Sequence, residues 1–300
     1  MYNSVKGEML IVLVIAMAIG GYSKAVGPNT EEIDVPPMPK HQGIFNENSE
    51  YSSIANRVST WKETDKQNVW ELSGLHEGDI MLNEDEEDIG TQNGVLDQKL
   101  RWPGGIIPYY IKEDGFGKKD IEVIKGALED YNKNTCIRFR PYRSGDKDYI
   151  YIKTSNTGCW SYVGRQNNGQ VVNLQNPGCV YHGTIVHELL HAIGFQHEQC
   201  STDRDDWVTI NWENIQSGRE HNFVKYDSNT ITDYGVGYDY GSVMHYSTYA
   251  FSKNSKPTIT AKKPTSVIGQ RKGLSDKDKK KLQAMYTSIC SNRNIEENVD

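Results

Sequence analysis

The distribution of apolar residues divides the chain near Trp102. Between residues 22 and 92 the sequence is polar, its apolar residues show little periodicity, and the prolines within residues 35–39 would break any helix. We therefore expect this stretch to be a pro-segment or a linker rather than a domain. Ordered structure is expected to begin near Trp102.

Beyond Trp102 the pattern predicts alternating strands and helices. Residues 105–111 are typical of a strand, in which Pro108 indicates an edge position or an irregularity. Residues 120–132 carry apolar side chains at helical spacing. Further strands are predicted at residues 137–140, 149–152, 162–163 and 171–174, the last two separated by a bend at residues 167–169.

A second helix is predicted from about residue 184 to 193, ended by Gly194. It is apolar almost all round except for His187, Glu188 and His191. A helix of this kind is buried, so its three polar side chains need a reason to be there. The remaining third of the chain is rich in Gly, Ser, Asp and Tyr and suggests loops, until a final helix at residues 276–286.

The N-terminus has the pattern of a signal peptide. Lys6 precedes a continuous apolar stretch at residues 9–19, which is followed by small residues. A stretch of this length is short for a membrane span and fits the hydrophobic region of a signal sequence, predicted here as residues 1–21. The alternative is an uncleaved membrane anchor. We expect export, with no membrane association once the signal is removed.

Composition narrows the class of protein further. The 300 residues carry a net charge of −7, without a stripe of Lys and Arg, which argues against nucleic acid as a partner. Much of the acidity lies in residues 84–88, predicted to be a solvated loop. Export makes the five cysteines candidates for disulfides, but spacing alone does not choose a pairing and one must stay unpaired.

The strongest chemical signal is a run of histidines around the second helix. His187 and His191 are four residues apart and leave one face of a helix, so both can bind one Zn²⁺. Glu188 is rotated about 100° from His187 and about 60° from His191, and flanks the metal without binding it. Gly194 permits a sharp turn that returns His197 as a third ligand. Three ligands leave a position for water, as in a catalytic zinc site.

The competing interpretation makes these ordinary core histidines. It would suit one isolated His, but here five specified residues recur at fixed spacing inside an apolar helix. Such a coincidence is improbable in a chain of this length.

These residues match the pattern H-E-x-x-H-x-x-G-x-x-H, and the chain resembles the metzincin zinc proteases. Residues 242–246 resemble the Met-turn of that clan, and Glu198, directly after the third His, is similar to the astacin family. Further similarities to the astacins lie at residues 101–103, 159–160, 194–199, 203–206, 238–242, 251–252 and 268–271. The resemblance extends from about Asn93 to Cys290.

The resemblance implies a mixed α+β metzincin fold. A twisted, mostly parallel sheet and the active-site helix would form the upper half, and the Met-turn and a C-terminal helix would belong to an irregular lower half. Tyr246 would ligate zinc in the resting enzyme and swing away to stabilise the oxyanion. Met244 would form a hydrophobic floor beneath the imidazoles, and Glu198 would meet the N-terminal ammonium of the mature enzyme.

The resemblance also implies the disulfides Cys136–Cys290 and Cys159–Cys179, which leave Cys200. Cys200 would be a buried thiol, a link to another chain, or a sign that this pairing is wrong.

Astacin precursors carry a motif F-x-G-D whose Asp takes the metal's water position. Residues 76–79 resemble it, with His76 in place of Phe, and they imply that Asp79 keeps a zymogen latent. The mature N-terminus would fall near residues 91–94, where no Lys or Arg stands, so self-processing or a protease unlike trypsin is expected to activate it.

The sequence thus predicts a secreted zinc endopeptidase with one Zn²⁺ per chain, in which residues 22–92 are the pro-segment and residues 93–300 the catalytic domain. Glu188 and Tyr246 would be catalytic, and an extended protein or peptide substrate would pair with an edge strand near residues 159–164. We expect a monomer without accessory modules after Cys290. The rival interpretations are a binding protein on the same fold and another metzincin branch.

Overall fold

The computed structural model describes residues 24–26, 32–40, 49–82, 96–226, 232–263 and 266–296. The predicted signal peptide, the acidic run at residues 84–88 and the expected cleavage region at residues 91–94 lie outside the described residues. The helices are α1 (Ser49–Thr60), α2 (Lys118–Asn134), α3 (His182–Ile193), α4 (Asp276–Met285) and α5 (Thr287–Glu296). The strands are β1 (Lys24–Val26), β2 (Glu32–Asp34), β3 (Ile106–Ile111), β4 (Arg138–Pro141), β5 (Ile150–Lys153), β6 (Cys159–Ser161), β7 (Gln170–Leu174), β8 (Val208–Ile210) and β9 (Ile259–Ala261).

Five strands form the main sheet in the order β4-β3-β5-β7-β6. The first four are parallel, and β6 runs antiparallel at the edge, which confirms the predicted mostly parallel sheet. Of the two alternatives for Pro108, the edge position was wrong, because β3 lies between β4 and β5, and the irregularity is confirmed by the incomplete pairing of β3 with β5. The proline is tolerated there because β3 pairs with β5 only from Tyr109 onwards. The strand predicted at residues 162–163 lies slightly earlier, as β6.

Helices α2 and α3 pack on each other beside the sheet. The buried positions of α2 are Ile124, Ala127, Leu128 and Tyr131, the spacing of one helix face. The Tyr131 hydroxyl donates to the Val186 carbonyl of α3 at 2.7 Å. In α3 every residue from Gly183 to Ile193 is buried, as the apolar sequence predicts, and both helices start two residues before their predicted positions.

The part of the chain after Gly194 is irregular, as predicted, although no sequence pattern indicated the β8–β9 pair or α5. Helix α4 is capped by Ser275, whose Oγ accepts from the Asp278 amide. The buried Asp278 carboxylate in turn accepts from Ser242 Oγ at 2.6 Å and from the Val243 amide at 3.0 Å. Helix α4 therefore fixes the start of the predicted Met-turn at residues 242–243.

The expectation that order begins near Trp102 was wrong. Helix α1 precedes it, and Ile54, Val58 and Trp61, at helical spacing, join the main hydrophobic core. Val69 and Trp70 lie in the same core. This apolar stripe is narrow and the rest of the helix is polar. The sequence pattern therefore does not reveal that one face of α1 is buried against residues that follow Trp102.

The cysteines pair as the resemblance implies, Cys136 with Cys290 and Cys159 with Cys179. Cys200 is a buried free thiol, the first of the three alternatives. Burial raises the pKa of this thiol well above its ordinary value, which makes it chemically inert. Among the described residues, no helix combines the length and apolar character that a membrane crossing requires.

Two helical glycines differ in the space around them and give a test of the packing. In α3, a Cβ on Gly183 would lie 1.9 Å from the Arg271 carbonyl oxygen, whereas a Cβ on Gly126 of α2 would meet nothing within 4 Å. Helix propensity favours Ala over Gly by about 1 kcal/mol, and overpacking against backbone opposes it by about 1–3 kcal/mol. We expect Gly126→Ala to raise the thermal unfolding midpoint by about 2 °C and Gly183→Ala to lower it.

Differential scanning calorimetry of the two variants and the wild type would measure these shifts. An equal increase in both variants would show that the close approach of Arg271 is not a constraint.

Candidate metal centre and active site

Three imidazoles meet at one point because a glycine ends α3. His187 and His191 lie one turn apart on the helix. Gly194 has φ of 127° and its amide donates to the carbonyls of Leu190 and His191, so the chain reverses there. The reversal brings His197 back to the helix, and ligand atoms of the three histidines and Asp79 all lie within 4.8 Å of one another.

The Nδ1 atom of each imidazole, on the side away from the common point, has a hydrogen-bond partner. Nδ1 of His187 lies 2.8 Å from the Val243 carbonyl, Nδ1 of His191 lies 2.7 Å from the Phe195 carbonyl, and Nδ1 of His197 lies 2.7 Å from a Glu77 carboxylate oxygen. Acceptors at these positions place the proton on Nδ1. When the imidazoles are neutral, each Nε2 directs its lone pair at the common point, which is the arrangement of metal-binding histidines.

Asp79 closes the fourth side of this cluster. Its Oδ2 lies 2.9 Å from His187 Nε2, and its Oδ1 lies 3.5 Å from His191 Nε2 and 3.3 Å from His197 Nε2. Nε2 of His191, Nε2 of His197 and Oδ1 of Asp79 are buried without a hydrogen-bond partner among the described atoms. These three unpaired atoms lie around one point together with Nε2 of His187, and three imidazole nitrogens with one carboxylate oxygen fit a tetrahedral Zn²⁺.

The cluster balances a buried carboxylate against positive charge. Burial alone would lower the pKa of His197, but the carboxylates of Asp79 and Glu77 outweigh it and raise that pKa to about 9. Burial opposes ionisation of Asp79 as well, yet the neighbouring histidines hold its pKa well below the ordinary value. The site therefore holds a carboxylate that needs a positive charge beside it.

Glu188 lies next to the metal position without contacting the cluster. Both carboxylate oxygens are buried and have no hydrogen-bond partner in the part of the chain that the structure describes. Burial, aided by the charge of Asp79, raises the pKa of Glu188 well above its ordinary value. A carboxyl group with a raised pKa at this place can take up and release a proton during a reaction.

Residues 243–246 of the predicted Met-turn lie beside the histidines, and the role of Met244 as a floor stays a prediction. Met244 is buried in the main core, and its carbonyl accepts from the Glu198 amide at 3.0 Å. The Tyr246 ring lies 4.8 Å from the His197 ring between centroids, and its hydroxyl donates to the Glu77 carbonyl at 2.6 Å. In this form the Tyr246 hydroxyl is thus engaged by residue 77, and its role as a ligand stays a prediction.

Glu198 already has a partner of opposite charge. Its carboxylate oxygens lie 2.6 and 2.7 Å from Lys281 Nζ of α4, and one of them accepts from the Asp239 amide. Burial raises the pKa of Glu198 to about 7, although Lys281 opposes this shift. The predicted contact with a new N-terminal ammonium stays a prediction.

The segment around Asp79 fills the cleft at the edge of the sheet. The Ser161 amide of β6 donates to the Asp79 carbonyl at 3.0 Å, and the Met81 amide donates to the Ser161 carbonyl at 2.9 Å. Trp70 stacks on the His187 ring at 4.3 Å between centroids. The edge strand at which the sequence predicts substrate binding is therefore paired with residues of the predicted pro-segment.

Sequence reasoning missed two carboxylates that belong to this site. Glu77 accepts from His197 and also from the Tyr226 hydroxyl. Glu71 accepts from the Ser247 amide at 2.6 Å and from Ser247 Oγ at 2.8 Å. Glu77 stands inside the motif at residues 76–79 and could have been singled out, whereas no sequence signal marks Glu71.

The one residue of this motif that differs from the astacin pattern, His76, does not contact the histidine cluster. His76, where the astacin motif has Phe, faces His221 at 6.4 Å between ring centroids rather than the three clustered histidines. Gly78 has φ of 94° and lets the chain turn between the two carboxylates of Glu77 and Asp79.

Comparisons with known proteins agree with this geometry. Zinc metalloproteinase nas-15 of Caenorhabditis elegans is 34% identical over 93% of this chain, which covers 53% of that protein. Zinc metalloproteinase nas-13 of the same organism is 46% identical over 65% of the chain, which covers 43% of it. The chain thus spans about half the length of these relatives.

Among solved structures, high choriolytic enzyme 1, a hatching enzyme zinc-protease from Oryzias latipes, matches with a TM-score of 0.57 and 39% identity. The match covers 62% of this chain and 92% of that one. The family model described as Astacin, a peptidase family, matches residues 94–287. The chain belongs to the astacin family of peptidases.

Proposed function

We propose that this chain is the latent precursor of a secreted zinc endopeptidase that hydrolyses internal peptide bonds of protein substrates. In this proposal residues 1–21 are the signal peptide, residues 22–92 the pro-segment and residues 93–300 the catalytic domain. The observation that carries the proposal is the position of Asp79, whose carboxylate faces Nε2 of all three clustered histidines.

The precursor is latent because the pro-segment occupies the groups that the active enzyme needs. Asp79 takes the position that a reactant water needs, and the backbone of residues 79–81 takes the hydrogen bonds of the edge strand β6. Glu77 engages His197 through its carboxylate and the Tyr246 hydroxyl through its carbonyl. Removal of the pro-segment would free all of these groups together.

His187, His191 and His197 would hold the zinc, which supplies Lewis acidity when bound. Glu188 takes the proton of the attacking water and passes it to the nitrogen of the leaving amine. The Tyr246 hydroxyl, released from Glu77, donates to the oxygen on which negative charge develops. Loss of Asp79 removes one of the two causes that raise the pKa of Glu188 and so favours its ionised, proton-accepting form.

The substrate would bind in an extended conformation along β6. Ser161 offers an amide donor and a carbonyl acceptor, which the pro-segment uses at 3.0 and 2.9 Å. Main-chain hydrogen bonds of this kind accept many sequences, as expected for a protease that cuts internal bonds. The two disulfides suit an oxidising, extracellular compartment, and we propose a monomer as the working form.

The role of Glu188 can be tested with Glu188→Ala and Glu188→Gln. Wild type and variants would be freed of the pro-segment by the same external protease and loaded with zinc. Because general base catalysis contributes about 10²–10⁴-fold, we expect the variants to lose that much kcat on a quenched peptide while metal content is unchanged. A chelator should abolish wild-type activity. If folded, zinc-loaded wild type were as inactive as the variants, the chain would be a binding protein rather than a protease.

The latency of the precursor can be tested with Asp79→Asn, which keeps the shape of the side chain and removes its charge. A hydrogen bond to a charged group contributes about 1.5–3 kcal/mol, so we expect the uncleaved variant to be at least tenfold more active than the uncleaved wild type. Asp65→Asn is the matched control, since its carboxylate is exposed and accepts from the Lys62 amide within the same segment.

Mass spectrometry would establish that each chain is still uncut during this assay. Equal activity of Asp79→Asn and wild type would remove Asp79 from the mechanism of latency.

The role of Tyr246 can be tested with Tyr246→Phe after removal of the pro-segment. Loss of one oxyanion donor costs about 10²–10³-fold in kcat, so we expect a fall of this size with little change in KM. Tyr240→Phe is the control, since the Tyr240 hydroxyl donates to the Trp207 carbonyl instead. An unchanged kcat in Tyr246→Phe would assign the Tyr246 hydroxyl to the latent form alone.

A further inference from the structure

A cluster of tyrosines lies on the face of the main sheet opposite the active-site helix. Ile150 and Ile152 of β5 belong to the same core as the residues of α3. Side chains alternate along a strand, so Tyr151 between them points to the other face. There it forms a separate cluster with the buried Tyr142 and Tyr149.

The rings of this cluster form two pairs in contact. Tyr142 and Tyr149 meet edge to face, with centroids 5.1 Å apart, and Tyr110 lies 5.2 Å from Tyr151. Gly169 leaves room for the Tyr149 ring, because a Cβ on Gly169 would lie 2.5 Å from the Tyr149 Cζ atom. We call the surface formed by Tyr110, Tyr142, Tyr149 and Tyr151 the tyrosine groove.

A proline-rich stretch of the predicted pro-segment is docked at the tyrosine groove. The Tyr149 hydroxyl donates to the Pro37 carbonyl at 2.6 Å. Two residues before the first proline, the Asp34 carboxylate accepts from the Ser144 amide at 2.8 Å. The two contacts fix residues 34–37 at both ends.

The burial of this stretch follows a period of three. Pro36 and Pro39 are buried, whereas Pro37 and Met38 between them are exposed. A polyproline II helix has three residues per turn, so residues three apart share one face. Pro36 and Pro39 have the spacing of P-x-x-P segments, which bind in aromatic-lined grooves, and the Pro37 carbonyl between them accepts from the Tyr149 hydroxyl.

We propose that the tyrosine groove is an exosite for protein substrates that carry an extended segment of the form Asp-x-Pro-x-x-Pro. The inference rests on the proposed removal of residues 22–92, which uncovers the groove. In the precursor the chain's own residues 34–39 are held there by covalent attachment, at a high effective concentration. Once the cleaved pro-segment has dissociated, the groove is open, and a segment of the same chemistry in a substrate can bind there. A proline-rich segment is already extended, so it loses little conformational freedom on binding.

The test uses the Glu188→Ala chain after removal of the pro-segment, so that no peptide is cut. The probe is a fluorescent peptide with the sequence of residues 31–41, and binding is followed by fluorescence anisotropy. We expect saturable binding, and at least tenfold weaker binding of the same peptide with Pro36→Ala and Pro39→Ala. Tyr149→Phe in the protein should weaken binding about threefold to tenfold, the loss of one hydrogen bond.

Tyr109→Phe is the matched control in the protein. Tyr109 precedes Tyr110 on β3 but packs against the main core on the other face of the sheet, so this change should leave binding intact. The inference is overturned if both peptides bind equally or neither binds. It is also overturned if a peptide of residues 68–81, which covers the metal cluster, displaces the probe.

A second measurement separates this inference from the proposed protease activity. Two fusion substrates would share one cleavage sequence and differ only in a tail with or without Asp-x-Pro-x-x-Pro. We expect wild type to cut both and to show a several-fold higher kcat/KM for the tailed substrate, an advantage that Tyr149→Phe abolishes. If both are cut at one rate, the exosite is wrong and the protease stands. If neither is cut, the proposed protease activity fails, while peptide binding still decides the exosite.

Discussion

The convergence of three imidazoles on one buried point constrains the rest of this structure. The Nε2 atoms of His191 and His197 have no hydrogen-bond partner among the described atoms, and Asp79 Oδ1 beside them has none either. Leaving buried polar atoms unpaired destabilises a protein by about 1–3 kcal/mol each, and a cation bound at the common point would satisfy all of them together. The features that hold the imidazoles in place then follow: the reversal at Gly194, and the acceptors on each Nδ1.

The predicted pro-segment is attached to this centre by two different kinds of force. Trp70 stacks on His187, and with Val58 and Trp61 it belongs to the hydrophobic core of the catalytic half. Glu71 and Glu77 are buried carboxylates that accept hydrogen bonds from the catalytic half. A buried carboxylate is unfavourable unless these donors are kept, so partial withdrawal of the segment is worse than either full docking or full release. If residues 22–92 keep the chain latent as proposed, we expect that latency to be an all-or-none property of residues 68–81.

A feature could be predicted from the sequence where it depends on residues that are close together in the chain. The histidine pattern fixes its own geometry through helix periodicity and one glycine, so His187, Glu188, His191 and His197 could be assigned from spacing. The interior position of β3 and the burial of α1 depend on what packs beside them, which a single sequence does not show. The role of Glu71 could not be predicted for the same reason, since its hydrogen-bond donors on Ser247 lie 176 residues further along the chain.

The two ends of the docked pro-segment have consequences for release. Residues 34–39 lie on the tyrosine groove and residues 77–81 lie at the metal cluster, with α1 between them in the sequence. Two linked contacts bind far more tightly than either alone, because release of one leaves the other at a high effective concentration. A single cut near residue 92 would therefore leave a pro-segment that still inhibits. Activation would then need either a second cut between the two contacts or a partner that competes for one of them, and a substrate with the chemistry of residues 34–39 competes for the groove.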